Sequence, residues 1–264
     1  MNIEIKNLQK ADVFVSCFQH MKLFTDHVNI IFDTHQMYVQ CVDSSTIVIF
    51  EIVLPSDWFD VYQLPEDEKV VVGLNASLFF KVLNTREKSQ TILIQNSQED
   101  HLSVDFLNAS SEDAKFLFHK HFEIPLLDIE TDLLEIPPID YQAEMTLPSG
   151  IFAGLITQLK QFGDNLLFEC SEEKISLVAS SSEQGKMYAD ISIEDMDEFA
   201  IEEGQSLQIC FSLRYLQNVC SYQKMSKDIT IGISEQMPMR IQYRITMDER
   251  PATMTFYLAP RMDD

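Results

Sequence analysis

Few residues in this 264-residue chain have the types and spacing that a catalytic or metal site needs. His119 and His121 would lie on one face of a strand, but no third metal ligand is evident near them, which favours ordinary surface or core histidines. The segment 180–186, SSSEQGK, lacks the spacing of a phosphate-binding loop. No GxSxG motif occurs, and no cysteine stands in a recognisable Cys-His arrangement. We therefore expect a non-enzyme with no catalytic residue, no metal and no cofactor.

The composition narrows the class of protein further. The chain has 42 acidic and 19 basic residues, a net charge of -23, which argues against a generic nucleic-acid coat. Its five cysteines are scattered without a CxxC pair, which favours reduced thiols. The N-terminus has no apolar core of a signal peptide, and no apolar run approaches the roughly 20 residues of a membrane span. These features predict a soluble intracellular protein without a membrane segment.

Positive charge is concentrated in four predicted helices. Apolar residues recur at gaps of three and four in segments 8–23, 75–86, 149–162 and 212–224, which is the helix period. These helices contain one acid, Asp12, and seven bases: Lys10, Lys22, Lys81, Arg86, Lys160, Arg214 and Lys224. Chance placement of surface charge is one explanation. We favour the other, in which the helix face contacts the phosphates of nucleic acid without reading its bases.

The helices belong to a pattern that occurs twice. Short β-rich runs follow each helix, so that each half reads strand–helix–strands–strand–helix–strands. The first helices align at a separation of 138, which places Lys22 with Lys160, and the second helices match at 136. A repeat this long predicts two similarly folded α+β domains, each with antiparallel sheets and two helices, at residues 1–122 and 139–264.

Residues 123–138, EIPLLDIETDLLEIPP, form the predicted connector between the domains. Pro125, Pro137 and Pro138 cannot continue a helix and cannot donate to a sheet ladder, so the connector should be extended. Its leucines and isoleucines alternate with acids. The connector is therefore either a strap over its own core or a surface for another molecule.

Several stretches resemble one known family over essentially the full chain. They are VDSSTIVIFEIVL (42–54), VGLNASLFFKVL (72–83), LEIPPIDYQAEMTLPSGIFAGLITQLKQFGD (134–164), FSLRYLQNV (211–219), MPMRIQYRI (237–245) and FYLAPRMDD (256–264). The chain resembles the eukaryotic-type DNA sliding clamps of the proliferating cell nuclear antigen family. The resemblance implies a closed homotrimeric ring whose helices surround double-stranded DNA without sequence preference and which tethers DNA polymerase as a processivity factor.

The resemblance also implies which residues do this. The matched bases are Lys22, Lys81 and Arg214, with Lys160 and Lys10 as local additions; Gly154 and Thr157 stand where the family often has arginine. Polymerase, the clamp loader and other partners would insert a Gln-x-x-aliphatic-x-x-aromatic-aromatic motif into an apolar pocket. By motif match the pocket comprises Val42, Ile47, Ile49, Leu134, Ile136, Pro238 and Tyr257, with backbone contacts from Leu258, Ala259 and Pro260.

Two further expectations accompany this resemblance. The family's location implies the nucleus, or the site of viral replication if the source is a large DNA virus. The alternative function is a clamp-like adaptor that binds partner peptides without encircling DNA. The mass of the protein in solution would distinguish a ring from such an adaptor.

Overall fold

The computed structural model describes residues 1–65, 69–96, 100–109, 118–130, 133–246 and 249–261. Within them, one order of elements occurs twice. The first half contains β1 (Asn2–Ile5), α1 (Leu8–Gln19), β2 (His27–Phe32), β3 (Gln36–Val42), β4 (Val48–Pro55), β5 (Val61–Gln63), β6 (Val70–Asn75), α2 (Ala76–Leu83), β7 (Gln90–Gln95), β8 (His101–Asn108) and β9 (Lys120–Pro125).

The second half repeats this order with the same number of strands and helices. It contains β10 (Ala143–Pro148), α3 (Ser149–Leu159), β11 (Asn165–Ser171), β12 (Ile175–Ser181), β13 (Gly185–Ile191), β14 (Glu198–Ile201), β15 (Ser206–Ser212), α4 (Leu213–Cys220), β16 (Asp228–Ile233), β17 (Met239–Arg244) and β18 (Thr253–Leu258). Short 3₁₀ turns occur at Met21–Leu23, Ser56–Trp58 and Ile193–Asp195.

Strand pairing repeats as well. Strand β1 pairs with β5 and β7, and its counterpart β10 pairs with β14 and β16. Strand β2 pairs with β3 and β6, and β11 pairs with β12 and β15. Each of these pairs is antiparallel, which confirms the predicted α+β class with antiparallel sheets.

The chain divides into two compact units. Unit 1 is Met1–Cys41, Glu51–Leu134 and Thr246–Thr253; unit 2 is Val42–Phe50, Glu135–Ile245 and Met254–Asp264. Unit 1 contains a sheet of order β5-β1-β7-β8-β9 and the strands β6, β2 and β3. Unit 2 contains a sheet of order β13-β12-β11-β15 and the strands β14, β10, β16 and β17. The boundaries at 122 and 139 stay a prediction.

Each unit has a core built from helix faces and alternating strand residues. In unit 1 the ring of Phe18 lies 5.2 Å from Phe14 and 4.8 Å from Phe79, which joins α1 to α2. In unit 2 the rings of Phe50 and Phe256 stack at 5.1 Å. Ring contacts of this kind add about 0.5–1.5 kcal/mol to the free energy of burial. The helices are thereby fixed with one face toward the core.

The register of the repeat in the second helices differs from the predicted one. Buried residues of α2 are Ala76, Phe79, Val82 and Leu83, and those of α4 are Leu213, Leu216, Val219 and Cys220. The separation is therefore 137, and the predicted separation of 136 was wrong. A match of apolar letters cannot distinguish neighbouring positions on a helix whose apolar residues are adjacent. In the first helices, the predicted separation of 138 holds for Phe14 and Phe152, both buried.

Most predicted elements are present with ends shifted by a few residues. The exceptions are β1, β5 and β14, which were not predicted. The predicted third helix begins at Ser149, but its N-cap is Pro148, and the Ser149 hydroxyl donates to the carbonyl of Ser226. Residues 115–117 of a predicted strand, 131–132 of the connector and 262–264 at the terminus lie outside the described residues. No helix in the described part of the chain is long and apolar enough to cross a membrane.

Candidate DNA and partner interfaces

In unit 1 two lysines lie together beside the packed helices α1 and α2. The side chains of Lys22 and Lys81 are exposed and line a shared cavity of about 240 Å³. Asn75 fixes the start of α2, because its Oδ1 accepts the N–H of Leu78 at 2.8 Å. This N-cap was predicted and is confirmed. The remaining lining residues are Phe18, Gln19, Ser77, Phe80 and Asn84. Two cations at one polar cavity make a plausible contact point for a phosphate group.

Two other bases of unit 1 are engaged within the protein. Lys10 donates to the carbonyl of Trp58 at 2.6 Å and lies over the indole ring. The side chain of Arg86 is only 3% exposed, and its guanidinium pairs with Asp12 and donates to the carbonyl of Gln90. Burial lowers the pKa of Arg86, and the carboxylate of Asp12 opposes that shift. The one acid of the predicted helices is thus neutralised by a base, and neither Lys10 nor Arg86 points freely into solvent.

In unit 2 the bases also divide into exposed and engaged ones. Arg214 at the start of α4 and Lys224 beyond its end are exposed. The guanidinium of Arg214 lies 5.8 Å from the centre of the Tyr215 ring. Lys160 at the end of α3 pairs with Asp164, and this hydrogen bond lowers the pKa of Asp164. Each unit therefore presents two exposed bases from the predicted set.

An acidic turn positions two of the predicted pocket residues in unit 2. The carboxylate of Asp43 is buried, and its Oδ1 accepts the N–H groups of Ile47 and Val48, both at 2.7 Å. Thr46 occupies the left-handed region with φ 55°. These bonds hold the turn closed, so that Val42 on one side and Ile47 on the other remain at the surface. Val42 is 37% exposed.

The C-terminal segment of unit 2 is bonded to this turn. The N–H of Ala259 donates to the carbonyl of Ile47 at 2.9 Å, so it is not available as a donor to a peptide. Tyr257 is half-buried, whereas Leu258 is fully buried in the core. Ile49 is half-buried between the fully buried residues Val48 and Phe50, as expected for the outer face of β4. Pro260, also half-buried, has no N–H, so its carbonyl is its backbone contact group.

Pro238 lies before β17 and is half-buried. Its carbonyl accepts the hydroxyl of Tyr141 at 3.3 Å. The Tyr141 ring packs so closely on Gly232 that a side chain there would overlap it, and the guanidinium of Arg240 lies 4.8 Å from its centre. Burial raises the pKa of Tyr141 to about 12, so it remains a donor at neutral pH. Beside Pro238, Met237 is 46% exposed and extends the apolar surface.

The connector bears the last two predicted pocket residues. Leu134, in unit 1, is 46% exposed, and Ile136, in unit 2, is half-buried. Residues 123–125 belong to β9, while 126–130 and 133–141 are neither helix nor strand. The backbone of Leu134 is bonded at both polar atoms to the side chain of Gln40. The connector is therefore tied to unit 1, as a strap would be, but it exposes leucine side chains, as a docking surface would.

The predicted histidine pair does not form a joint site in the described residues. The Nδ1 of His121 lies 2.9 Å from the carboxylate of Asp105, while the Nδ1 of His119 accepts the N–H of Asn108 at 3.4 Å. Across the described ranges, no group of three histidine, cysteine, aspartate or glutamate side chains is placed to hold a metal ion.

Comparison with known proteins connects this geometry to a family. The model of the proliferating cell nuclear antigen N-terminal domain matches residues 3–133, and that of its C-terminal domain matches residues 135–261. The chain belongs to the proliferating cell nuclear antigen family. It is a DNA sliding clamp, a protein of DNA replication and repair that tethers DNA polymerase as a processivity factor, and the adaptor alternative is not favoured. The family's clamps are non-catalytic, bind DNA and form multimers.

Two relatives show how far this clamp has diverged. A proliferating cell nuclear antigen of Chaetomium thermophilum is 22% identical over 262 residues, which covers 97% of both chains. A chain in the crystal structure of a PCNA2–PCNA3 complex from Sulfolobus tokodaii superposes with a TM-score of 0.83 at 20% identity, covering 99% of both chains. The fold is thus retained over the full length while four residues in five differ.

Some residues that organise the clamp's surfaces were not singled out in the sequence. Asn29 and Gln40 bind the connector, Asp43 closes the turn, and Tyr141 supports Pro238. The period-two pattern of VNIIFD and MYVQCV places Asn29 and Gln40 on the outer face of their strands. The pattern does not reveal that they lie on adjacent rungs, because register depends on strand pairing.

Proposed function

We propose that the chain forms a homotrimeric ring in which Lys22, Lys81, Arg214 and Lys224 contact the phosphates of the enclosed duplex. The observation that carries this proposal is the division of the seven helix bases. Four are exposed, whereas Lys10, Arg86 and Lys160 are engaged by Trp58, Asp12 and Asp164. Because lysine and arginine contact phosphate oxygens without reading bases, such contacts suit a protein that moves along any sequence.

The charge on the rest of the chain supports this arrangement. A net charge of -23 would repel DNA from a surface of average composition. Asp12, the one acid of the predicted helices, is paired with Arg86, so the described helix surfaces carry no unpaired acid from that set. Threefold symmetry would multiply four weak, salt-sensitive contacts per chain around the duplex. DNA would then be retained by closure of the ring and positioned by these few bases.

We also propose that partner peptides bind unit 2 at Val42, Ile47, Ile136, Pro238 and Tyr257, with Ala259 and Pro260 contributing carbonyl oxygens. Polymerase and clamp-loader subunits with the Gln-x-x-aliphatic-x-x-aromatic-aromatic motif are the proposed occupants. The apolar side chains are half-buried or exposed, and the Asp43 turn holds two of them in place. Partly exposed apolar anchors on a rigid frame are the usual features of a peptide-binding surface. The nucleus is the proposed location.

Charge reversal tests the DNA contacts. In a variant with Lys22→Glu, Lys81→Glu and Arg214→Glu, we expect loss of clamp-dependent processive synthesis on a primed template, because three phosphate contacts become repulsions in every chain. Binding of the motif peptide should not change, since none of these residues lies in the proposed pocket. The measurement is product length in a polymerase assay with clamp loader, at two salt concentrations.

A matched control keeps the same change in net charge. Lys69→Glu, Lys174→Glu and Arg250→Glu also reverse two lysines and one arginine, all exposed and outside the four helices. This control should retain processive synthesis. Equal loss in both variants would mean that net charge alone matters, and retention in both would place the DNA contacts elsewhere.

A further inference from the structure

Three side-chain positions in unit 1 lie in a row under the connector. In the pairing of β2 with β6, Asn29 faces Gly73. In the pairing of β2 with β3, Ile30 faces Val39, which places Asn29 and Gln40 on the adjacent rung. Because side chains alternate along a strand and Ile30 and Val39 are buried in the core, this rung faces outward. We call Gly73, Asn29 and Gln40 the connector ladder.

Each member of the connector ladder binds the connector backbone. The carbonyl of Gly73 accepts the N–H of Leu127 at 2.9 Å. The Nδ2 of Asn29 donates to the carbonyl of Ile129 at 2.9 Å. Gln40 makes two bonds to Leu134, donating from Nε2 to its carbonyl at 2.9 Å and accepting its N–H at 2.7 Å. These bonds satisfy backbone groups that have no strand partner in this segment.

Gly73 is required by the close approach of the connector. A Cβ at this position would overlap the carbonyl oxygen of Leu127. Glycine therefore lets the connector backbone lie against β6. The other two rungs carry amides, which supply the donors and acceptors that the connector needs farther along.

The orientation of the Gln40 amide is fixed by a neighbouring carboxylate. Its Nε2 lies 3.2 Å from Oε1 of Glu51 and 3.0 Å from the hydroxyl of Tyr38, which itself donates to Glu51. An ionised carboxylate only accepts hydrogen bonds, so the amide nitrogen must face Glu51. The amide oxygen is thereby directed to the N–H of Leu134. Glu51 thus determines which way Gln40 holds the connector.

These contacts leave apolar side chains on the outside. Leu127, Leu133 and Leu134 are 37%, 41% and 46% exposed, while the backbone of Leu127 and Leu134 is bonded to unit 1. A connector that only covered its own core would bury its leucines. We propose that the connector ladder positions the backbone of the connector so that Leu134 is presented, pre-ordered, to the partner peptide. This inference rests on the peptide docking proposed above.

The decisive substitution is Gln40→Glu. It removes the donor to the Leu134 carbonyl and places a second carboxylate beside Glu51, so the connector should detach at this rung. Hydrogen exchange measured by mass spectrometry should be faster in peptides covering 126–136 and unchanged in peptides from α1 and α2. Affinity for a synthetic Gln-x-x-aliphatic-x-x-aromatic-aromatic peptide should fall about three- to ten-fold, as loss of one or two hydrogen bonds predicts.

Two further variants make the result specific. Gln63→Glu introduces the same charge at an exposed glutamine of unit 1 and should leave connector exchange unchanged. Adding Glu51→Gln to Gln40→Glu removes the repulsion and restores an acceptor for the N–H of Leu134, so slow exchange of that segment should partly return. Recovery of this kind requires the orientation role of Glu51 and would not follow from a general loss of folding.

The two proposals fail in different ways. If Gln40→Glu leaves connector exchange at the wild-type rate, the connector ladder is wrong whatever the peptide does. If exchange rises but peptide affinity is unchanged, the ladder holds the connector without serving docking, and the inference is overturned. If the wild-type chain does not bind the peptide at all, the proposed peptide docking is at fault, and the exchange result still judges the ladder's hold on the connector.

Discussion

Tyr257 is half-buried near the end of β18, between Phe256 and Leu258, which are fully buried. Its neighbours anchor the strand in the core, so the Tyr257 side chain is held at the surface of unit 2 with little freedom to lose on binding. Aromatic residues in such settings are typical anchors of an interface. Tyr257→Ala should therefore weaken binding of the motif peptide by more than about 1 kcal/mol, measured by isothermal titration calorimetry.

The control for Tyr257→Ala is Tyr215→Ala, which truncates another half-buried tyrosine of unit 2, on α4. Peptide affinity should not change in this control. If it falls as far as in Tyr257→Ala, the loss reflects a destabilised unit 2. If Tyr257→Ala binds as tightly as the wild-type chain, the pocket assigned by motif match is in the wrong place.

The individual bases show where sequence reasoning stops. The count of bases on the helices identified all four exposed ones, because periodicity separates solvent-facing positions from core positions. It could not distinguish Lys10, Arg86 and Lys160 from them. Trp58 and Asp12 lie 48 and 74 residues away from the bases that they engage, so their contacts depend on the tertiary fold. A local pattern contains no information on contacts at that separation.

At the scale of elements, the equivalent helices α2 and α4 begin differently. Asn75 caps α2 with a side-chain bond to the N–H of Leu78, whereas Ser212, at the equivalent position, makes no side-chain cap bond in the described structure of α4. Asn75→Ala should lower the free energy of unfolding by about 1 kcal/mol, because one N–H of the first turn loses its acceptor. Denaturant unfolding monitored by circular dichroism measures this change.

Ser212→Ala is the matched control for the cap, since it sits at the same point of the repeat. Its effect on the free energy of unfolding should be well below that of Asn75→Ala. Equal losses would mean that the Asn75 bond contributes nothing beyond the general preference for a polar N-cap.

The elements themselves were largely predictable, because long apolar periods determine them. The helices and most strands follow from alternation and from gaps of three and four. Strands β1, β5 and β14 have only three or four residues each, too few for a period to stand out. Gly73 illustrates a second limit. The sequence marks it as a glycine inside a strand, but the approach of Leu127 that requires glycine is visible only in the folded chain.

At the scale of the whole molecule, ring formation depends on surfaces that the sequence pattern does not reveal. Strand β9 is at one end of the sheet β5-β1-β7-β8-β9, and β13 is at one end of the sheet β13-β12-β11-β15. Strand ends of sheets present unpaired N–H and C=O groups that favour pairing with another chain. On β13, Tyr188 is 67% exposed. Pairing of such edges between copies would close a ring and remove the open edges.

The mass in solution tests this closure. The wild-type chain should sediment at micromolar concentration with about three times its mass of 30.5 kDa. Tyr188→Asp should shift it to smaller species, because an edge that must be covered by a neighbouring chain would then bury a charge. Ile151→Asp, at an apolar residue of α3 that is 63% exposed, should leave the trimer intact. A wild-type monomer would contradict the ring and revive the adaptor, since a monomer cannot encircle DNA. A trimer that survives Tyr188→Asp would retain the ring but exclude the β13 edge as its joint, because the charge would then have remained in solvent.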